Sequence, residues 1–205
     1  MKIASILIPV YNQEELIKKA INSIPDRKDI EIIVVNDAST DNTLNSVLSF
    51  KRPITVINLS TRKSIGYCRN LCLKRATGKF AIWIDSDDYV DTKQFNKFLD
   101  WLRKNQWPDL VHIDLIDNRG YRYNGPNSCG TVSKVLKLST IRRLGLYYKD
   151  ISVGEDKVFW GELEEKHVMA THYMDLYYYY NYPRENSTSW LAEREIIRKE
   201  WKDYV

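Results

Sequence analysis

The segment FAIWIDSDDYV, residues 80–90, sets three carboxylates within four positions at the end of an apolar run. Asp85, Asp87 and Asp88 repel one another wherever they lie close together, so a cation or a hydrogen-bonding partner should offset that cost. Adjacent carboxylates suit a hard divalent cation, Mg²⁺ or Mn²⁺, which also binds phosphate oxygens. A single carboxylate facing a base or a ribose could instead accept hydrogen bonds from N–H or O–H groups. The spacing therefore predicts a metal-bound diphosphate site, hydrogen bonding to a nucleoside, or both.

Polar side chains also stand at the ends of two other predicted strands. The first strand ends in Pro9-Val10-Tyr11-Asn12 and the second in Asn36-Asp37. Ligands of parallel sheets bind beyond the carboxyl ends of the strands, so these side chains and the acidic tip should share one edge. Each has an ordinary structural explanation as well, because Asp37 could begin a turn and Asp88 or Asp91 could cap the next helix. Those explanations require three coincidences at three strand ends. We therefore favour one shared site.

Strand and helix patterns alternate regularly over the first hundred residues, which is typical of a mostly parallel, doubly wound α/β sheet. The predicted strands are residues 4–10, 31–35, 54–58 and 80–84. The first predicted helix is residues 14–24. The second is capped by Asp41 and carries Leu44, Val47 and Leu48, and the third is residues 64–76, with Gly78 just past the end. The fourth has an inner face formed by Phe95, Phe98, Leu99 and Leu102.

The pattern becomes irregular after Pro108, and no linker rich in Pro, Gly or Ser divides the chain. The predicted elements are an alternating strand at 110–116, a hairpin around Gly120 at 117–125, helices at 139–144 and after Glu155, and a charged terminal helix at 190–203. We predict one domain, residues 1–205, in which an irregular second half forms the other wall of a cleft.

Composition excludes several classes of protein. The chain has 205 residues, 43% of them hydrophobic, and a net charge of +4; it can bury a core and bind anions such as nucleotides, but it lacks a dense basic patch. No apolar stretch approaches the roughly 20 residues of a membrane span, so no membrane insertion is expected. Three cysteines without a secretory leader predict a reduced, cytoplasmic location, with Cys68 and Cys72 as small core residues.

Five segments in this order resemble the family 2 glycosyltransferases with the GT-A fold: SILIPVYN, EIIVVNDASTDNT, GYCRN, IDSDD and a later GED. The resemblance extends from residue 3 to about residue 190. It implies a hexosyltransferase-type enzyme that moves a sugar from a nucleotide-sugar donor, usually UDP-linked, to an acceptor hydroxyl with inversion at the anomeric carbon. It also gives the two halves their expected roles, nucleotide-sugar binding for 1–107 and acceptor binding for 108–205.

The resemblance implies roles for single residues of the donor site. They are framing of the nucleobase by Pro9, Tyr11 and Asn12, a hydrogen bond from uracil to Asp37, contact of Asp85 with the ribose, coordination of Mn²⁺ or Mg²⁺ by Asp87, and neutralisation of the donor phosphate by Arg69. Arg69 has an alternative explanation as a cation on a helix surface.

In the GED segment, the resemblance makes Asp156 the catalytic base that accepts the acceptor's proton, and it turns Glu155 toward the acceptor. The alternative is a pair of carboxylates that stabilises the start of a helix. Near the end of the chain, relatives have a Tyr-Arg pair where this chain reads YYYYNYPRENSTS. Asn181 stands near the expected Arg and Arg184 follows three residues later, so the last donor contact is not assigned. Asn36 also replaces an Asp that is frequent in relatives, although its amide oxygen still accepts hydrogen bonds.

Other functions remain open at this point. We expect a saccharide or glycoconjugate acceptor on an aromatic wall; the alternative is a modified base in DNA, contacted by basic residues interleaved with tyrosines. Those residues are Arg119, Arg122, Arg142, Arg143 and Lys149 with Tyr121, Tyr123, Tyr147 and Tyr148. A nucleotidyltransferase would have a Gly-rich loop after the first strand, which PVYNQEE lacks. A non-catalytic nucleotide-sugar-binding module would be expected to lose Asp85, Asp87 or Asp156, and all three are present.

Overall fold

A mixed β-sheet organises the chain in this computed structural model, which describes residues 1–127, 130–151 and 153–181. The strands within these ranges are β1 (Ala4–Val10), β2 (Ile30–Asn36), β3 (Thr55–Asn58), β4 (Phe80–Trp83), β5 (Tyr89–Val90), β6 (Leu110–Asp117), β7 (Arg122–Tyr123), β8 (Lys134–Lys137) and β9 (Ala170–Tyr180). The helices are α1 (Leu16–Ser23), α2 (Thr43–Leu48), α3 (Ile65–Arg75), α4 (Thr92–Lys104), α5 (Leu138–Leu144) and α6 (Glu155–Glu164). None of these helices is long and apolar enough to cross a membrane.

The strand order is β3-β2-β1-β4-β8-β6-β9-β5, with β7 paired to β6. Strands β1 to β4 pair in parallel, and so do β6 and β9, whereas β8 runs antiparallel between β4 and β6. The carboxyl ends of β1, β2, β3, β4, β6 and β9 therefore lie at one edge, which we call the rim. The predicted α/β class with a mostly parallel sheet is confirmed.

The elements of the first half form close to their predicted positions because their apolar periodicity is clear. Strand β2 is buried on both faces except at Glu31, as expected for an interior parallel strand. Helix α4 buries all four residues of its predicted apolar stripe, and the Asp91 carboxylate caps it by accepting a 2.8 Å hydrogen bond from Gln94 N. Cys68 and Cys72 lie in the core.

Two details of the first half differ from expectation. Helix α3 ends at Arg75 and is followed by Ala76 in an extended conformation, so Gly78 lies further past the end than predicted and does not cap the helix. Gly78 instead permits close packing, since a Cβ there would lie 2.6 Å from Ala4 C and Ser5 N in β1. Leu48 is exposed, because α2 is only six residues long and turns Val47 rather than Leu48 toward the core. Asn42 precedes the first residue of α2, and Asp41 accepts from Thr43 N at 3.0 Å.

The second half is more regular than predicted. Strands β8 and β9 were not expected: β8 is short, and the aromatic run of β9 has no alternation that marks a strand. Residues 110–116 do form a strand, β6, which lies between β8 and β9 in the sheet. Its residues are mostly buried on both faces, so the predicted alternation of buried and exposed side chains is absent. The hairpin around Gly120 is present, with Gly120 at φ 82° and β7 paired to β6. The predicted helix at 190–203 and Arg184 lie outside the described residues.

Apolar side chains from both halves pack into one core cluster, which includes Phe80 and Phe98 of the first half and Val135 and Phe159 of the second. The assignment of donor binding to 1–107 and acceptor binding to 108–205 remains a prediction.

The tight contact at Gly78 gives a stability test. We expect Gly78→Ala to lower the free energy of unfolding by about 1–3 kcal/mol, because the added methyl group meets the backbone of β1. Gly161→Ala in α6 is the matched control: its Cβ meets no atom within 4 Å, so better helix propensity should raise stability by about 0.5–1 kcal/mol. Urea unfolding of both variants measures the difference; equal effects would contradict the packing role of Gly78.

Candidate active site

The loops after β1 and β2 are joined at the rim. The Asn12 side-chain oxygen accepts a 2.8 Å hydrogen bond from Thr40 N, and Asn12 N donates to Ser39 Oγ at 3.0 Å. Asn12 and Ala38 have positive φ values of 48° and 53°, a conformation that is costly for Ala and concentrates at functional sites. The bonds between the two loops hold Tyr11 and Asp37 near one another. Pro9 lies inside β1 and is buried.

Asp37 is a buried carboxylate with two donors. Its Oδ2 lies 2.5 Å from Nη1 of Arg62, and its Oδ1 accepts a 2.8 Å hydrogen bond from Lys63 N. The Arg62 guanidinium also lies over the ring of Tyr11, with 3.4 Å between its central carbon and the ring centroid. The predicted nucleobase residues Tyr11 and Asp37 are thus brought together, with Arg62 across both.

The three carboxylates of the acidic tip have different environments. Asp88 does not cap α4; it is buried, and it accepts hydrogen bonds from the Tyr178 hydroxyl at 2.6 Å and from Asn181 N at 2.7 Å. Tyr178 also accepts from Asp85 N at 3.1 Å. Desolvation, with the nearby charges of Asp87 and Asp85, raises the pKa of Asp88 well above its usual value. Strand β9 therefore anchors the tip.

Asp85 forms an ion pair with Arg69, whose Nη2 lies 3.6 Å from Asp85 Oδ1. Desolvation raises the pKa of Asp85, Arg69 opposes that rise, and Asp87 and Asp156 add to it. The carboxylates of Asp85, Asp87 and Asp156 are therefore close enough to interact electrostatically. No group of three or more His, Cys, Asp or Glu side chains arranged for a metal ion occurs in the described part of the chain.

Arg69 is buried, with 7% of its side chain exposed, and is not the surface cation or open rim residue considered from the sequence. Its Nε lies 3.2 Å from Oε1 of Glu155, and its guanidinium packs beside the rings of Trp83 and Tyr148, 5.2 and 5.5 Å from their centroids. Neither Nε nor Nη1 makes a well-aligned hydrogen bond within the described residues. Although desolvation alone would lower the pKa of Arg69, Asp85 and Glu155 hold it above its usual range.

Glu155 and Asp156 begin α6 and point into different surroundings. Glu155 is buried against Arg69, which corrects the expected orientation toward the acceptor, because a buried carboxylate requires a counter-ion and Arg69 supplies it. Desolvation raises the pKa of Glu155 to about 7, against the effect of Arg69. Asp156 is half-buried, and its Oδ1 accepts a 2.8 Å hydrogen bond from Lys157 N.

Several residues of the site escaped the sequence analysis. Arg62 follows β3. Because ligands bind beyond the carboxyl ends of parallel strands, the position of Arg62 after the third strand is a signal for this residue. Tyr178 gave no local signal, because it belongs to the run of tyrosines 177–180 and only its tertiary contacts distinguish it.

The basic and aromatic residues considered for DNA do not form one open surface. Arg119 and Arg122 are paired with Asp117 and Asp114 at 2.7 and 2.5 Å, and Tyr148 is buried. Much of the positive charge on this hairpin is thus neutralised within the protein.

The parallel rim, its acidic tip and the carboxylates of α6 are the features of a GT-A-type domain, and the comparisons with known proteins agree. The family model described as glycosyl transferase family 2 matches residues 5–198. The chain therefore belongs to glycosyl transferase family 2, as the five sequence segments indicated.

The alignments with similar proteins include most of this chain but a smaller share of each of those proteins. The poly(ribitol-phosphate) beta-glucosyltransferase of Bacillus spizizenii is 28% identical over 211 aligned residues, 87% of this chain but 32% of that protein. The crystal structure of S. aureus TarS 1–349 in complex with UDP-GlcNAc has a TM-score of 0.80 at 24% identity, covering 91% of this chain and 60% of that one. The mannosyltransferase PcManGT from Pyrobaculum calidifontis, in complex with GDP-Man and Mn²⁺, has a TM-score of 0.70 at 17% identity, covering 94% and 60%. The two structures establish the GT-A fold alone, and the chain spans about a third of the Bacillus relative.

The buried ion pairs give a second test. We expect Arg69→Met to lower the free energy of unfolding by about 3–5 kcal/mol, because it leaves Asp85 and Glu155 without their counter-ion. Arg75→Met, an exposed position in the last turn of the same helix, should stay within about 0.5 kcal/mol of the parent. Equal losses in urea unfolding would contradict the bridging role of Arg69.

The same variant should also change the pH dependence of stability. Arg69 lowers the pKa of Glu155, so its loss should raise that pKa above 7. A carboxyl whose pKa is raised by folding stabilises the protein fully below its unfolded value of 4.5 and loses that contribution as pH rises through the folded pKa. In Arg69→Met this decline should extend to higher pH than in the parent, which unfolding at a series of pH values measures.

Proposed function

We propose that this chain is the catalytic domain of an inverting glycosyltransferase that moves a sugar from a UDP-sugar to a hydroxyl of a saccharide-type acceptor. The observation that carries the proposal is the bridge from Asp85 at the rim, through Arg69, to Glu155 at the start of α6. This bridge sets Asp156, the next residue, within electrostatic reach of Asp85. A donor bound along the rim would therefore have a partly exposed carboxylate next to its sugar.

The donor would lie along the ends of β1, β2 and β4. Tyr11 offers an aromatic face, and Asp37 a buried carboxylate that accepts an N–H from uracil, while Asn12 shapes the loop around them and Pro9 supports it from within β1. Asp85 would contact the ribose. The TarS complex with UDP-GlcNAc, which has the same fold, supports a UDP-sugar donor.

The proposed reaction is a single displacement. The acceptor oxygen attacks the anomeric carbon, the bond from that carbon to the diphosphate oxygen breaks, and UDP leaves with the bonding electrons. Asp156 takes the proton of the acceptor hydroxyl as general base. Burial of Glu155 against Arg69 leaves Asp156 as the carboxylate of this pair that solvent and an acceptor can reach. Glu155 and Arg69 would thus position α6 rather than contact substrates.

Asp87 and Asp85 suit a divalent cation in chemistry and charge. Both supply hard oxygen donors, and a cation would offset the repulsion that helps to raise the pKa of Asp85. Mg²⁺ commonly binds through one or two carboxylates, with water and phosphate oxygens completing its ligands, so a small set of protein donors is sufficient. Asp87 would hold Mn²⁺ or Mg²⁺, which would stabilise charge on the leaving diphosphate as a Lewis acid. The PcManGT complex, which shares the fold, contains Mn²⁺.

The acceptor we propose is a saccharide or a sugar-bearing polymer. The poly(ribitol-phosphate) beta-glucosyltransferase that aligns with 87% of this chain supports this class. A DNA acceptor is less favoured, because Arg119 and Arg122 are engaged by neighbouring aspartates. The cytoplasmic location stays a prediction.

A donor screen tests the proposed function. UDP-sugars incubated with saccharide and polyol-phosphate acceptors should give a glycosylated product detectable by mass spectrometry. EDTA should abolish product formation and excess Mn²⁺ should restore it. Asp87→Asn should reduce turnover, whereas Asp26→Asn, an exposed carboxylate in the loop before β2, should not. Full activity in chelator would exclude a metal-dependent mechanism, and no product from any nucleotide sugar would argue for a binding module.

The roles of Asp156 and Glu155 can be separated by amide substitution. Asp156→Asn keeps the size of the side chain but cannot accept a proton, so turnover should fall by about 10²- to 10⁴-fold with little change in UDP affinity by calorimetry. Glu155→Gln should lower turnover less and should lower thermal stability more, since it removes a buried partner of Arg69. The reverse pattern would make Glu155 the base.

A further inference from the structure

Arg62 contacts both side chains that we assign to binding of the nucleobase, Tyr11 and Asp37. Its guanidinium is stacked at 3.4 Å on the ring of Tyr11, and its Nη1 lies 2.5 Å from Oδ2 of Asp37. A single side chain thus joins the aromatic face to the buried carboxylate. The inference below rests on the proposed function, which places the base of the donor at these two groups.

A guanidinium and a uracil ring present similar chemistry to this pair of residues. Both are planar, both stack on an aromatic ring, and both offer an N–H in their plane to a carboxylate. Two planar groups cannot occupy the same stacking position on Tyr11 while each donates to Asp37 from that side. A base that uses both contacts must therefore take the place of Arg62.

The exposures of the two charged groups suit such an exchange. The Arg62 side chain is 53% exposed and can move into solvent, where its charge is hydrated, whereas the Asp37 side chain is only 5% exposed. A buried carboxylate oxygen without a donor is unstable, so Oδ2 of Asp37 requires a partner when no nucleotide is present. Arg62 supplies it then, and Lys63 N holds the other oxygen throughout.

We propose that Arg62 is an intramolecular stand-in for the nucleobase: it closes the base site in the donor-free protein, the donor displaces it, and it thereby sets the affinity for the donor. Closure lowers the apparent affinity by the fraction of molecules in which the site is open. Removing the side chain opens the site in every molecule.

The test is calorimetric titration with uridine, which has no phosphate and so is insensitive to a lost positive charge. Arg62→Ala should bind uridine about 5- to 30-fold more tightly than the parent, as removal of a competing closed state implies. Lys51→Ala is the control, because it removes one positive charge from an exposed position before β3, at the end of the sheet opposite the rim; its uridine affinity should equal that of the parent.

The outcomes separate this inference from the proposed function. Weaker uridine binding by Arg62→Ala would overturn the inference and make Arg62 a wall of the base site, and unchanged binding would overturn it by making Arg62 irrelevant to the base. Asp37→Ala provides the independent check: it should weaken uridine binding in Arg62→Ala, and by a smaller factor in the parent, where the loss of Asp37 also releases Arg62. If the parent binds neither uridine nor UDP at millimolar concentration, the donor assignment itself fails.

Discussion

The buried guanidinium of Arg69 is the constraint on which the site depends. A charge removed from water must be matched by opposite charge, and Arg69 finds it in Asp85 of the rim and Glu155 of α6. These carboxylates belong to segments 70 residues apart, so the ion pairs form only when the second half closes on the first. The rings of Trp83 and Tyr148, which contact each other edge to face, both pack against the guanidinium. The chemistry of one arginine thereby fixes the position of α6 relative to the sheet.

The acidic tip resolves its internal repulsion by separating its carboxylates. Asp88 turns inward to a tyrosine hydroxyl and a backbone N–H, where burial favours its protonated form. Asp85 turns to Arg69. Asp87 lies close enough to both to raise their pKa values through its charge. Tyr178 links the first two, since it donates to Asp88 and accepts from Asp85 N.

The two sides of the site use different physical means. At the loops after β1 and β2, left-handed backbone at Asn12 and Ala38 is held by reciprocal hydrogen bonds, and the exposed Arg62 covers Tyr11 and Asp37. At the start of α6, burial separates the two carboxylates, because Glu155 is enclosed and Asp156 remains accessible. Division of neighbouring acids by environment is a common way to give them separate roles.

The sequence by itself determined the α/β class, the elements of the first half, the rim and the family. Those features follow from local periodicity and from the rule that parallel strands end at one edge, and both can be read along the chain. The tertiary structure decided what depends on contacts distant in sequence. In the folded protein Arg69 is buried, Glu155 faces inward, and Asp91 rather than Asp88 caps α4. The tyrosine run also forms part of a strand, β9, which pairs with β6 and β5. Burial and ion pairing across such separations leave no periodic mark, so only the folded arrangement shows that Glu155 is enclosed beside Arg69 and that Arg62 contacts both Asp37 and Tyr11.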